Sequence, residues 1–429
     1  MSQDYYTRNI LNIKDENVKF YKNFLETKTI KGKVTKIFHG FLTYTPDYCP
    51  KCGCINEGFN DIIKWNFKRN CKIKMPKVSN YSAILLLDKQ RFKCKNCGKT
   101  FTASTDIVNY HKQISNNTVL SIKCDLMEKG SEKDIAKRND VSSCSVNRIL
   151  DDISEDKIVK NYGKLPKIIG IDEFKATKDT ISKMAFIIID QDKRNIFDIN
   201  NSRHSIDIDK YFRRYSIAER DKVKFITLDL YKPYYSLMHS LFRNAILVPD
   251  RFHIVLQIRN ALDKTRINLC KKTNPNYNKL KKYWKLILKN SDDLNDAEKI
   301  YSKYFKKEIT QKEIVTYLIN TNEELYNTYK LYQGIIKSIK NKDKKLFLNI
   351  INNSNKKDIS KYARKTIKTY KEMEKYIANA FDYEYSNGIT EGTNNVIKQI
   401  KHTACGYRKF SHLKARVMLI KGIYNPIIA

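Results

Sequence analysis

Three acidic residues, far apart in the chain, have the settings that suit a magnesium site. Asp172 ends the short apolar run of KIIGIDEFK, and Asp229 ends a second run, VKFITLD. Glu391 lies in the first turn of the helix predicted for SNGITEGTNNVIKQIKH. Magnesium and manganese prefer oxygen ligands, and two ions held by three carboxylates can activate an attacking oxygen and stabilise a leaving one. The pattern therefore indicates a metal-dependent phosphoryl-transfer site.

Further residues near these carboxylates could belong to the same site or contact a polyanionic substrate. Asp250 and His253 form a pair at a predicted helix start close to the site, where they hold a flipped base, a strand end or only the helix N-terminus. Between them, Arg251 is a predicted phosphate contact. On the Glu391 helix, Lys398 and Lys401 are predicted to bind DNA.

The elements that must position the carboxylates alternate between strands and helices. Strand-like runs end at Asp172 and Asp229, and a hairpin of 183–190 with 194–199 lies between them. A helix near 208–218, a short helix after Pro233 and a strand at 245–248 complete a mixed sheet with flanking helices. Residues 254–383 are rich in Lys, Tyr and Asn and nearly free of Gly and Pro, and the segment YNKLKKYWKLILKN has helical periodicity, which together predict an all-helical insertion.

Four cysteines have the spacing of a structural zinc site. Cys49 and Cys52 form one C-x-x-C pair, and Cys94 and Cys97 form another. The strand-like segments between the pairs, DIIKWNF, CKIKM, AILLL and RFKC, predict a zinc ribbon with an enlarged hairpin. Buried free thiols are the alternative, and Cys54 and Cys71 are alternative ligands.

Residues 115–152 have the spacing of a helix-turn-helix unit. Ser142 is a natural N-cap for the second helix, which buries an apolar face and exposes Ser145 and Arg148. These two residues are therefore predicted DNA contacts, either to base edges or only to phosphates. An ordinary helical hairpin is the alternative. The first 48 residues predict a helix near 16–27 and a strand near 33–41.

The composition favours a nucleic-acid partner. The 429 residues include 82 Lys and Arg against 46 Asp and Glu, a net charge of +36, which favours a polyanion; a Lys-rich coding bias is the alternative. No apolar run reaches the roughly 18 residues that a membrane span needs, and the N-terminus is polar. We therefore expect a cytosolic protein whose ten cysteines are reduced or metal-bound.

Four longer segments carry a resemblance to a known family. GIDEF, TLDLYKPYY, NAILVPDRFHIV and SNGITEGTNNVIKQIKHTACGYRKF resemble the DDE transposases of bacterial insertion sequences, in the ISL-three family, as does the CPKC…CKNCGKTF region. The resemblance implies a ribonuclease-H-like core, with Asp172, Asp229 and Glu391 as its metal-binding triad. It also implies that Asp250 and His253 are the D-x-x-H pair beside that core. Cys405 departs from the pattern, which has an aromatic residue there.

These inferences give an α/β chain, a ribonuclease-H-like mixed sheet with a large all-α insertion, preceded by a small zinc ribbon and a helix-turn-helix. Its predicted parts are a segment at 1–48, a ribbon at 49–108, a helix-turn-helix at 109–160, a core at 161–253 with 384–429, and an insertion at 254–383.

The expected function is a bacterial transposase that binds its element's terminal inverted repeats and then cuts and joins DNA with Mg²⁺ or Mn²⁺, its ribbon holding Zn²⁺. By family analogy it acts as a homodimer or larger assembly, associated with the nucleoid. The rivals are a non-catalytic DNA-binding regulator, a stand-alone nuclease and an RNA-binding protein.

Overall fold

The computed structural model describes residues 2–57, 60–156, 163–354 and 357–425, without the side chains of residues 155 and 156. The chain divides into two compact units, residues 1–159 with 397–429, and residues 160–396. Residues 157–162 and 426–429, where predicted parts begin or end, lie outside the described residues. The five-part division stays a prediction.

The first unit contains a five-stranded sheet in the order β1-β2-β4-β3, with β5 beside β4. Its elements are α1 (Gln3–Ile10), β1 (Val18–Ile30), β2 (Lys33–Leu42), β3 (Ile62–Val78), β4 (Tyr81–Cys94) and β5 (Thr100–Thr102). The helix predicted near 16–27 is wrong, because β1 pairs antiparallel with β2 and buries Val18 and Phe20 on one face. The strand predicted near 33–41 is confirmed.

The hairpin predicted between the cysteine pairs is confirmed, but it consists of two long strands. β3 and β4 pair antiparallel from Ile62 opposite Cys94 to Val78 opposite Tyr81. Three register shifts interrupt this ladder without ending it. Such irregularities bend and twist a strand, so the separate strand-like segments of the sequence belong to one continuous ribbon.

Four helices form a second core in the first unit. They are α2 (Asn116–Leu126), α3 (Glu132–Asn139), α4 (Ser143–Asp156) and α17 (Phe410–Ile420). Buried residues of α2, α3 and α4 pack with Ala415 and Leu419 of α17. Arg416, almost fully buried, donates hydrogen bonds to the carbonyl oxygens of Leu126, Glu128 and Gly130. The helix α17 thus closes the turn between α2 and α3.

The second unit is built on a five-stranded mixed sheet. Its strands are β6 (Ile168–Lys175), β7 (Met184–Asp190), β8 (Asn195–Asn200), β9 (Phe225–Leu228) and β10 (Ile246–Pro249), in the order β10-β9-β6-β7-β8. The first three strands pair antiparallel, and β9 and β10 are parallel to β6. The predicted mixed sheet is confirmed. The prediction that β6 ends at Asp172 is wrong, because residues 172–175 continue the pairing with β7.

Helices surround this sheet, and most of them contribute residues to its apolar core. They are α5 (Ser205–Phe212), α6 (Ile217–Arg220), α7 (Lys232–Leu241), α8 (Arg251–Leu269), α9 (Tyr277–Lys282), α10 (Trp284–Ile287), α11 (Gln311–Ile319), α12 (Glu323–Lys340), α13 (Lys344–Asn353), α14 (Lys361–Glu372), α15 (Glu374–Asp382) and α16 (Gly388–Thr403). The predicted all-helical insertion is wrong at one place, the hairpin of β11 (Ile300–Ser302) and β12 (Lys307–Ile309). In the described part of the chain, none of the helices has the length and apolarity needed to cross a bilayer.

Candidate functional site

Asp172 lies on β6, and Asp229 directly follows the neighbouring parallel strand β9. Gly170 of β6 pairs with Thr227 of β9, so each aspartate lies two residues beyond a paired position. Burial, followed by the charge of Asp229, raises the pKa of Asp172 to about 7. Burial, followed by the charges of Asp250, Glu173 and Glu391, raises the pKa of Asp229 to about 7. Carboxylates crowded in this way resist ionisation because their negative charges repel.

A buried polar network places the start of α16, and therefore Glu391, against the sheet. Gln191 Nε2 donates to Thr227 Oγ1 at 2.5 Å and to the Ser386 carbonyl at 3.1 Å. Thr227 Oγ1 donates to Asn387 Oδ1 at 2.6 Å, and Asn387 Nδ2 donates to the Ile171 carbonyl at 3.1 Å. A satisfied buried network fixes geometry, so Glu391, one turn after Asn387, is held by strands β6 and β9.

Gly170 allows α16 to approach β6 closely. A Cβ atom at this position would lie 2.7 Å from Thr390 Oγ1 and 2.9 Å from Gln191 Nε2. Those separations are shorter than real side chains adopt, so an L side chain there would push the helix or the network away. The glycine of the IIGID segment therefore has a specific task, which is to bring the Glu391 helix onto the strand that carries Asp172.

Asp250, His253 and Glu391 form a compact group in which one ligand atom of each lies within 4.8 Å of the others. Asp250 is buried and precedes α8, but its side chain makes no capping hydrogen bond. Its carboxylate therefore faces the group and is not used to cap the helix. This supports a role of Asp250 in the site and not only at the helix N-terminus. His253 Nε2 lies 3.2 Å from Asp229 Oδ1, so the group also reaches Asp229 at the end of β9.

The residues present fit a divalent cation. Asp229 Oδ1 is buried and has no hydrogen-bond donor among the described residues, although His253 Nε2 lies 3.2 Å from it. In the same part of the chain, no lysine or arginine forms an ion pair with Asp172, Asp229, Asp250 or Glu391. Buried carboxylates need a cation or protons, and hard oxygen donors suit Mg²⁺ or Mn²⁺.

Sequence reasoning did not single out Asn394, which contacts the site directly. Its Nδ2 donates to Asp172 Oδ2 at 2.6 Å, while its own Oδ1 is buried without a donor in the described residues. Asp172 Oδ1 accepts from the Glu173 backbone N–H at 2.7 Å. The doublet of asparagines inside a predicted helix was an available signal, because asparagine is a poor helix former.

Other acidic and basic residues near the site have partners of their own. Glu173 accepts hydrogen bonds from Tyr234 and, at 2.8 Å, from Arg203. Arg251 donates to the carbonyl oxygens of Ala380 and Tyr383, both at 2.8 Å, and so binds the end of α15. Its contact with DNA stays a prediction. Lys398 is exposed and Lys401 is half-buried on α16, and their DNA contacts stay predictions as well.

The four predicted zinc ligands lie together. One sulfur atom from each of Cys49, Cys52, Cys94 and Cys97 lies within 4.8 Å of the others, and two of the Sγ–Sγ distances are 3.9 Å. A tetrahedron with zinc–sulfur bonds of about 2.3 Å has edges of about 3.8 Å, so the spacing fits zinc. Backbone N–H groups of Cys97 and Asn96 lower the pKa of Cys94 to about 7.

Glycines after each cysteine pair shape the two turns. Gly53 has φ +75° and donates to the Cys49 carbonyl at 2.8 Å, and Gly98 has φ +67° and donates to the Cys94 carbonyl at 2.9 Å. Cys54 and Cys71 contact the backbone carbonyls of Ile55 and Lys68 and lie outside the four-cysteine group.

The predicted recognition residues lie on α4 as expected. Ser142 Oγ accepts from the Ser145 backbone N–H at 3.1 Å, so Ser142 caps α4. Arg148 is exposed, and Ser145 is half-buried with its hydroxyl 2.9 Å from that of Ser142. Val146 and Leu150 point into the helical core. Contact of Ser145 and Arg148 with DNA stays a prediction.

Comparison with known proteins identifies the family. The family model of ISL3-type DDE transposases, described as "Transposase", matches residues 169–417, from β6 to α17. The chain belongs to this transposase family. The match includes Asp172, Asp229 and Glu391, and it confirms the resemblance inferred from the sequence motifs.

A curated protein matches a shorter part of this transposase-family chain. It comes from Lactococcus lactis subsp. lactis, is named "ATP-dependent protease", and is 33% identical over 122 residues. The match covers 28% of this chain and 39% of that protein. The chain therefore spans well under half the length of the curated relative it matches.

Proposed function

We propose that this chain is a metal-dependent transposase that cuts DNA at the ends of its element and joins them to target DNA. The observation that supports the proposal is electrostatic: the charge of Asp229 raises the pKa of Asp172, and the charge of Glu391 raises that of Asp229, in a chain of the transposase family. Divalent ions bound there would lower the charge on the scissile phosphate and activate an oxygen nucleophile.

The chain's own residues prepare this site. The shared register of β6 and β9 sets Asp172 beside Asp229. The Asn387 network presents Glu391 from the helix side, and Asn394 fixes the orientation of the Asp172 carboxylate. Preorganised ligands avoid a rearrangement during the reaction. Asp250 and His253 extend the donor set and are proposed as its accessory residues.

The sheet topology supports a ribonuclease-H-like core. Three antiparallel strands, β6 to β8, are followed by β9 and β10, which add in parallel on the other side of β6. We infer that this is the ribonuclease-H-like arrangement, with its carboxylates on the two central strands and a helix.

We also infer that the first unit binds double-stranded DNA. Four clustered thiolates support a zinc ribbon, and the α3–α4 pair with its Ser142 cap supports a helix-turn-helix. The net charge of +36 favours phosphate contacts. We propose that these modules bind the terminal inverted repeats as a homodimer or larger assembly, in the nucleoid of a bacterial cell.

The decisive experiment uses the full-length protein and a duplex that ends in the element's inverted repeat. With Mg²⁺ or Mn²⁺, we expect strand cleavage and then joined products. Asp229→Asn should lose both reactions, because the neutral amide is a poor metal ligand, while repeat binding persists. Asp209→Asn is the matched control, because Asp209 is occupied by an ion pair with Arg213 next to α5. Full cleavage by Asp229→Asn would refute the assignment.

The same assay separates the rival functions. A non-catalytic regulator would bind the repeat without cutting it in any metal. A stand-alone nuclease would cut without forming joined products, and an RNA-binding protein would prefer duplex RNA to duplex DNA in competition. We do not propose ATP hydrolysis, because the sequence has no G-x-x-x-x-G-K-[ST] run for nucleotide phosphates.

A further inference from the structure

A cavity in the insertion is built from elements that the proposed chemistry does not use. It has a volume of about 700 Å³ and lies between α9, the β11–β12 hairpin and α11. That volume is within the usual range for ligand pockets. Its walls combine the aromatic rings of Tyr304, Phe305 and Tyr317 with several lysines.

The tip of the hairpin is a basic and aromatic turn. The segment Ser302–Lys307 reads SKYFKK. Lys306 adopts φ +52°, and its backbone N–H donates to the Ser302 carbonyl at 2.7 Å. The hydroxyls of Ser302 and Tyr283 lie 2.6 Å apart, and this hydrogen bond holds the hairpin against the junction of α9 and α10. The turn therefore presents its rings and cations from a fixed position.

Two rings of the cavity, those of Tyr304 and Tyr317, are partly open to a ligand. Tyr304 is 43% exposed and Tyr317 is 44% exposed, although both belong to a connected aromatic group. Lys279 Nζ lies 4.8 Å from the Phe305 ring centre and 4.7 Å from that of Tyr317. Aromatic faces with adjacent cations are the usual stacking platform for unpaired bases.

The charge of the cavity is positive once internal partners are counted. Asp296 accepts from Lys312 at 2.9 Å, and Glu313 caps α11 by accepting from the Thr310 backbone N–H. Lys306 and Lys307 form no ion pair within the described residues. The two acidic side chains of the cavity are thus occupied, while two cations at its rim are available for phosphate.

We propose that this cavity binds an unpaired nucleotide of a DNA strand. The base would stack on Tyr304 or Tyr317, and the flanking phosphates would contact Lys306 and Lys307. A paired base is covered on both faces by its neighbours, so duplex DNA does not satisfy these rings, whereas a free anion would not use them. The proposal deepens the proposed function, since it rests on DNA as the substrate, and it gives the insertion a role in holding strand ends or extruded bases.

The test compares two DNA strands with the same phosphates, one that carries bases and one that does not. Full-length protein is titrated, without added divalent ions so that nothing is cut, with a fluorescent thymidine decamer and with an abasic decamer that has the same phosphates. We expect the thymidine strand to bind at least about fivefold more tightly, the lower end of the stacking contribution of one base. Equal affinities would overturn the proposal.

Matched variants locate the effect. Tyr304→Leu should remove most of the preference for bases, whereas Tyr301→Leu should keep it, because Tyr301 is 63% exposed on the same hairpin but does not line the cavity. Lys307→Glu should weaken both strands severalfold, whereas Lys345→Glu, an exposed lysine outside the cavity, should change neither by more than about twofold. Equal effects within either pair would contradict the assignment.

A cross-linking measurement distinguishes this inference from the proposed catalysis. A decamer with one 5-iodouracil, irradiated on the protein, should attach to the Tyr304 or Tyr317 peptide, and attachment only elsewhere would refute the cavity. If Asp229→Asn unexpectedly cleaves DNA but stacking at Tyr304 is found, the triad assignment fails and the cavity assignment stands. If cleavage requires the triad but the base preference is absent, only the cavity assignment fails.

Discussion

The side-chain amide of Asn394 donates a hydrogen bond of 2.6 Å to Asp172 Oδ2, joining residues that are 222 positions apart. The bond connects α16 to β6 and leaves the Asp172 Oδ1 atom facing the Glu173 backbone N–H. The helix that carries Glu391 therefore also orients the first aspartate, so one helix controls two of the three proposed metal ligands.

Replacing Asn394 should slow cleavage without weakening repeat binding. Asn394→Ala removes the donor that orients Asp172, and loss of such a supporting contact costs about 10- to 100-fold in metal affinity or activity. Asn394→Asp should cost more, because it adds a negative charge beside a carboxylate that already resists ionisation. Single-turnover cleavage at saturating DNA measures the effect, and an unchanged rate in both variants would contradict the role.

Gly170→Ala should destabilise the second unit and impair cleavage. The new Cβ would meet Thr390 Oγ1 at 2.7 Å, and overpacking of this kind costs about 1–3 kcal/mol. The matched control is Gly392→Ala, where a Cβ meets nothing within 4 Å. In that helical position alanine should raise the free energy of unfolding by up to about 1 kcal/mol. Denaturant unfolding of both variants gives the comparison, and equal shifts would contradict the close approach.

Divalent ions should stabilise the protein more at high pH than at low pH. Asp172 and Asp229 have a pKa of about 7 in the fold against an ordinary 3.8. Between about pH 4 and 7 the folded chain keeps protons that the unfolded chain releases, so the metal-free protein loses stability as pH rises through this window. Metal binding requires the deprotonated carboxylates. Mg²⁺ should therefore raise the unfolding temperature by a few degrees at about pH 8 and much less at about pH 5.5.

The double variant Asp172→Asn/Asp229→Asn is the control for that measurement. It removes both titrating carboxyls, so the metal-free protein should no longer lose this part of its stability between about pH 4 and 7. The same variant should lose most of the Mg²⁺-dependent rise in unfolding temperature. An equal rise in the double variant and the natural sequence would place the ion elsewhere.

Cys49→Ser should remove bound zinc and weaken repeat binding. Cys49 is buried within the four-sulfur group, and a structural zinc site contributes its binding free energy directly to folding. Cys71→Ser is the control, because Cys71 lies outside that group. Elemental analysis should give about one zinc per chain for the natural sequence and the control, and close to none for Cys49→Ser. Equal zinc in both variants would contradict the site.

Much of the second unit could be predicted from local sequence. The apolar runs before Asp172 and Asp229 gave two central strands, because short buried runs have few other structures available. The pairing of β6 beyond Asp172 was missed, since a strand's end depends on its partner, β7, and not on its own apolarity. The small hairpin in the insertion was missed for a similar reason, because its three-residue strands have no period to detect.

The site was predictable in its charged residues and less so in its neutral ones. Carboxylates after apolar runs are conspicuous, whereas Asn387, Thr390 and Asn394 acquire their roles only when α16 lies on the sheet. The helix predicted near 16–27 failed because β1 is stabilised by its partner strand β2. Both the α16 contacts and the β1 strand depend on residues of another element, which a local sequence pattern does not reveal.

The position of α17 has a consequence for synthesis. The core shared by α2, α3 and α4 includes Ala415 and Leu419 of α17. Arg416 of the same helix donates hydrogen bonds to the turn between α2 and α3. A ribosome makes those three helices long before it reaches Phe410. The helical core of the first unit therefore cannot be complete before α17 has been made, so a chain that stops before Phe410 lacks the helix that closes this core.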